Sequence, residues 1–82
     1  MSNFIKKISS GNQSWDFHFS KITAADGNKY HVSVKDAFRL HHFYMNDGDC
    51  KWHIAHAPEP EQWIVALEKE LEKAILDYER AN

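Results

Sequence analysis

The chain has 82 residues, 43% of them hydrophobic and 13% aromatic, with only three glycines and two prolines. That composition describes a single compact domain with a thin core built largely on rings, and excludes disordered and low-complexity chains. The formal net charge of −2 argues against a dedicated polyanion binder, which carries a clear basic excess. The charge is divided unevenly: residues 1–35 hold five Lys against two Asp, and residues 36–82 five Lys or Arg against ten Asp or Glu.

Cys50 is the sole cysteine, so no internal disulfide is expected. No charged-then-apolar signal opens the chain, and the longest apolar run, "WIVAL", is far too short for a membrane span. Cytoplasmic residence without a membrane partner is the expectation.

Residues 1–14 begin with Phe4, Ile5 and Ile8 and then dissolve into Ser, Gly, Asn and Gln, which reads as a weakly structured segment, either a strand or a helical turn. Residues 15–55 read as two β-hairpins. In "WDFHFSKI", Trp15, Phe17 and Phe19 alternate with Asp16, His18 and Ser20; in "KYHVSVK", Tyr30, Val32 and Val34 alternate with His31 and Ser33. Period-two alternation with rings on one side describes half-buried strands. Asp26-Gly27 is a two-residue hairpin signal, and a turn there sets Phe19 opposite Val34 and Thr23 opposite Tyr30. Asp47-Gly48 gives the same signal between "HHFYMN" and "DCKWHIA". It sets Met45 opposite Cys50, Phe43 opposite Trp52, His41 opposite Ile54, Tyr44 opposite Lys51 and His42 opposite His53. A competing reading makes 36–45 a helix with Asp36 as its N-cap.

Residues 59–81 form the clearest element, one long helix. Pro60 suits a first helical turn and Glu59 and Glu61 suit the positive end of the dipole. Trp63, Ile64, Leu67, Leu71, Ala74, Ile75 and Tyr78 make a wide apolar stripe. The expected fold is therefore α+β: a four-stranded antiparallel sheet of two hairpins, with this helix packed on the aromatic face.

The segment "RLHHFYMNDGDCKWHIAH" concentrates four of the six histidines and the lone cysteine. Cys50, His53 and His56 are spaced C-x2-H-x2-H, but strand alternation sends His53 to the opposite side from the other two. No second pair completes a tetrahedral set. No metal or other cofactor is expected, and no catalytic constellation stands out; Cys50 reads as a small buried hydrophobe. His42, His53, Tyr44 and Lys51 together form a candidate binding patch on the polar sheet face, with the two imidazoles coupled.

On the outer side of the helix, Glu61, Glu68, Glu72 and Glu79 line up beside a row of Lys69, Lys73 and Arg80, with Val65 and Leu76 between. Apolar residues between opposite charge rows resemble half of a helix–helix seam. Val65, Leu76, Lys69 and Glu72 are thus a candidate interaction face for a protein partner or for weak self-association. The expected function is a small non-catalytic protein-interaction module, an adaptor, inhibitor or subunit. The ββββα order is similar in outline to single-stranded nucleic-acid-binding domains of the Whirly and Pur types. That likeness makes nucleic acid the second choice of partner, met by Tyr44, His18, His31, His42 and His53 with Lys35 and Lys51 on the polar face.

Overall fold

The computed structural model describes residues 3–25, 27–48, 51–55 and 59–81, with only the backbone for Ala24. The fold is α+β, with five strands rather than four. These are β1 (Asn3–Ser10), β2 (Gln13–Ala24), β3 (Gly27–Lys35), β4 (Leu40–Gly48) and β5 (Lys51–Ile54), in the antiparallel order β1-β2-β3-β4-β5. A short helical turn, α1 (Gln62–Val65), precedes the main helix α2 (Glu68–Ala81).

The additional strand is β1, where a weakly structured segment was expected. It pairs with β2 from Asn3↔Ser20 to Ser10↔Gln13, leaving Gly11 and Asn12 as the reversal. Gly11 has φ +62°, the left-handed backbone that such a tight hairpin turn requires and that glycine adopts without strain. Phe4 secures the strand: its ring lies 4.4 Å from Phe19 on the sheet and 4.1 Å from Tyr78 on the helix.

Both expected hairpins exist, but their registers differ from the expected ones by even numbers of residues. In the first, Phe19 pairs with Val32 and Thr23 with Asn28, and the reversal falls between Ala24 and Gly27. Gly27 takes φ +131°, so its conformational freedom is used just after the turn and not within it. In the second, Met45 pairs with Ile54, Asn46 with His53, Asp47 with Trp52 and Gly48 with Lys51. Asp47-Gly48 therefore ends β4, and the pairings of Phe43 with Trp52, His41 with Ile54, Tyr44 with Lys51 and His42 with His53 do not form. An even slip leaves every side chain on its expected face, because the pleat repeats every two residues. The expected pairing of Met45 with Cys50 is likewise replaced, by Met45 with Ile54, while the burial of Cys50 falls outside the described residues, as does His56.

The helical alternative for 36–45 is excluded by β4. Asp36 does accept N–H groups from Phe38 (2.7 Å) and Arg39 (2.8 Å) through Oδ1, as an N-cap does, while its own N–H donates to the Arg39 carbonyl. Here the motif closes a turn, and the alternation of buried His41, Phe43 and Met45 with exposed Leu40, His42 and Tyr44 carries the chain on as a strand.

The long helix is broken at Ala66-Leu67. Leu67 N–H bonds to Ile64 O, three residues back and not four, a tighter turn that separates α1 from α2. The apolar stripe holds across the break: Ile64, Leu67, Leu71, Ala74 and Ile75 are all buried. They meet Ile8, Phe17, Phe19, Tyr30, Val32, Val34, Phe43, Met45, Trp52 and Ile54 from one face of the sheet. The helix touches both edges of that sheet, β1 through Phe4–Tyr78 and β5 through Glu68 and Glu72. Five strands span about 19 Å and a helix only about 10–12 Å, so the sheet curls around it as a half-barrel.

Candidate functional site

The helix-covered side ties its ionisable groups to protein partners. Glu79 accepts from Lys21 Nζ (2.8 Å) and from the Tyr30 hydroxyl (3.0 Å); burial first, and then this carboxylate, push the Tyr30 phenol above its usual range. Glu72 accepts the Trp52 N–H at 2.9 Å and Glu68 the Ile54 N–H at 2.8 Å. The spacing is apt: one turn of α2 separates these glutamates by about 6 Å, and two residues of β5 rise about 6.6 Å. The glutamates thus act as the acceptor row of a missing sixth strand and close an edge that would otherwise pair with another chain.

This arrangement changes the meaning of the acidic row. Glu61 pairs with Arg39 and accepts from Trp63 Nε1, and Glu68, Glu72 and Glu79 all bond to the protein's own strands. Of the candidate interaction face, Lys69 and Leu76 are exposed and Val65 is half-buried. Glu72 serves β5, and the break at Ala66-Leu67 lies between Val65 and the other three.

At the β3–β4 end of the half-barrel stands a second group. His41 is only 6% exposed. Its Nε2 lies 2.7 Å from Asp36 Oδ2 and its ring meets Trp63 edge-on at 5.5 Å. The bond to His41, followed by the Arg39 and Phe38 N–H groups, lowers the Asp36 carboxyl to about 2. The ligand-type atoms of Asp36, His41 and Glu61 lie within 4.8 Å of one another. Each already has a protein partner: Asp36 has His41 and two backbone N–H groups, and Glu61 has Arg39 and Trp63. We read the group as a clamp that holds the inter-hairpin turn against the start of the helical segment.

The clamp borders a groove of about 820 Å³ lined by Ser10, Gln13, Ser14, Trp15, Lys35, Asp36, Ala37, Phe38 and Trp63. Trp15 and Trp63 meet with ring centroids 4.6 Å apart. Phe38, at the apex of the Asp36 turn, is 93% exposed. Neither Phe38 nor the Trp15–Trp63 pair was singled out from the sequence as functional. Phe38 sits in a stretch with no alternation, and the tryptophans read as ordinary core.

The outer face of the sheet carries the sequence-derived patch, rearranged. His42, His53, Tyr44 and Lys51 are all exposed there. His53 sits beside Asn46, four residues along β4 from His42, a separation of about 13 Å along the strand. The partner of His42 is instead His31, on the neighbouring strand β3: Nδ1 of His42 and Nε2 of His31 are 3.2 Å apart. The ring centroids are 5.2 Å apart with an interplanar angle of 22°, so the two nitrogens occupy the facing edges of the rings. Burial, and then the neighbouring His42, lower the His31 pKa from its ordinary value. Tyr44 completes the group with its ring 5.3 Å from His31. His18 lies in the cross-strand row that runs through Ser33 to His42.

Among the described residues no helix is long and apolar enough to cross a membrane. No family model, no curated protein and no solved structure matches this chain.

Proposed function

We propose that the protein is a small non-catalytic interaction module whose contact surface is the aromatic groove at the β3–β4 end, with a protein segment as its ligand. The observation that carries this reading is the exposure of Phe38. A whole phenyl ring held in water is unfavourable by about 1.5–3 kcal/mol relative to a buried one. This ring does not hang on a loose segment: the Asp36 side chain fixes its backbone at 2.7 Å. A rigidly presented aromatic beside a cleft floored by two tryptophans has the anatomy of an interface anchor. Lys35, Gln13, Ser10 and Ser14 supply a polar rim. The non-catalytic part of the reading is supported by the Asp36–His41 pair, whose imidazole is turned into the fold against Trp63.

The test is a peptide-display selection on the intact chain, with each enriched sequence re-measured on Phe38→Ser. We expect ligands that lose at least about tenfold in affinity, since an aromatic hot spot contributes about 2 kcal/mol or more. Enriched peptides that bind Phe38→Ser as tightly as the parent would place recognition elsewhere.

A second reading, single-stranded nucleic acid on the outer sheet face, is favoured by the adjacent rings of His31, His42 and Tyr44. The net charge of −2 opposes it. Fluorescence anisotropy with mixed oligonucleotides decides: this reading requires binding that weakens steeply with salt.

A further inference from the structure

We propose that His31 and His42 form a two-imidazole binding site for a first-row divalent transition-metal ion such as zinc on the outer face of the sheet. The proposal rests on the distance between the facing nitrogens. A tetrahedral ion that holds two imidazole nitrogens at about 2.0–2.1 Å separates them by about 3.3 Å. Nδ1 of His42 and Nε2 of His31 stand 3.2 Å apart. The strand pairing creates this spacing: Ser33 lies opposite His42 and His31 opposite Tyr44, so the two histidines are diagonal neighbours on one face of adjacent strands. No backbone movement is needed, only small rotations of two side chains, of which His42 is exposed and His31 half-buried.

The protons can be followed through the exchange. In the free protein one ring donates its N–H to the other's lone pair. On binding, the donor ring carries its proton on its other nitrogen, and both facing nitrogens offer lone pairs to the ion. No proton need leave the pair. The bond given up is a single neutral contact on the solvent side, where water already competes with it. The cluster of Asp36, His41 and Glu61 is the less suitable site. An ion there would have to break the nearly buried His41–Asp36 bond and draw Glu61 away from Arg39. At the outer site two protein ligands leave the remaining coordination positions to water, and the Tyr44 ring stands 5.3 Å from that of His31.

The test is titration of the full chain with zinc chloride, followed by imidazole resonances in two-dimensional NMR and by calorimetry. We expect one equivalent to shift His31 and His42 together. Either His31→Gln or His42→Gln should weaken binding by at least about tenfold, the least that loss of even a supporting residue costs. His53→Gln, on the same face but beside Asn46, should leave affinity unchanged. Copper(II) should displace the zinc, as its higher place in the affinity order requires. The proposal is overturned if both variants bind within twofold of the parent. It is equally overturned if the first equivalent moves His41, or moves His53 and His56 with Cys50, in place of the His31–His42 pair.

Discussion

The two faces of the sheet are made of the same strands and treat charge in opposite ways. Toward the helix, Glu68, Glu72 and Glu79 each bond to a backbone or side-chain donor of the sheet, and His41 is held by Asp36. Away from it, the imidazoles of His31 and His42 meet only each other and Tyr44 among the contacts described for them. The difference follows from desolvation. A carboxylate beside a core must be hydrogen-bonded or it opposes folding, whereas a neutral imidazole on the outer face meets a much smaller penalty and is free to recognise something else.

Substitution on each of the two faces gives the strongest test of this contrast. Phe17→Ala, on the fully buried side of β2, should cost about 3–5 kcal/mol, a large share of the stability of so small a domain. Leu40→Ala, 53% exposed on the outer face, should stay within about 0.5 kcal/mol. Urea unfolding of both variants measures the gap, and equal losses would show that the outer face is covered.

The glutamate row comes next. Glu68→Ala with Glu72→Ala leaves two N–H groups of β5 without acceptors and should cost about 2 kcal/mol once partial exposure is allowed for. The bared edge should also promote association, visible in sedimentation velocity as a concentration-dependent species absent from the parent. Replacement by Gln at both positions keeps an acceptor and should recover most of the loss.

A smaller effect separates the Asp36 clamp from the outer histidines by pH. The folded-state carboxyl of Asp36 lies at about 2, below the 3.8 of an unperturbed side chain. Its contribution is therefore complete above the unfolded value and fades as pH falls from there through about 2. Asp36→Asn should remove that part of the acid dependence, and carboxyl NMR should place its midpoint near 2 in the parent. The smallest effect is at His31: its titration midpoint should lie below the ordinary imidazole value of about 6.5. His42→Gln should move it only part of the way back, because burial is the larger cause.

Face assignment was legible in the sequence, and register was not. Trp15, Phe17, Phe19, Tyr30, Val32, Val34, Phe43 and Met45 all fall on the helix-covered side, as their alternation requires. Alternation is blind to slips of two or four residues. The run "NDGD" offers more than one place to reverse the chain, so the expected His42–His53 pair was lost while its exposed placement survived. β1 was obscured because Lys6 and Lys7 break the apolar pattern and the Gly11-Asn12 turn follows a run of serines. The acidic row read as the outer side of one helix instead faces the protein: Glu79 bonds to Lys21 and Tyr30, and Glu68 and Glu72 accept backbone N–H groups of β5, which no side-chain pattern reveals. Phe38 and the His31–His42 contact depend on how the two hairpins join, and nothing in the residues specified β3 beside β4.

The capping of β5 also sets how this protein can assemble. In a five-stranded ribbon growth by strand addition is possible at two borders, and here α2 occupies one of them. Among the described strands only β1, with a neighbour on a single side, remains open to another chain. Two copies joined border to border through β1 would leave no free template, so addition by this route ends at a pair and does not propagate into a fibre.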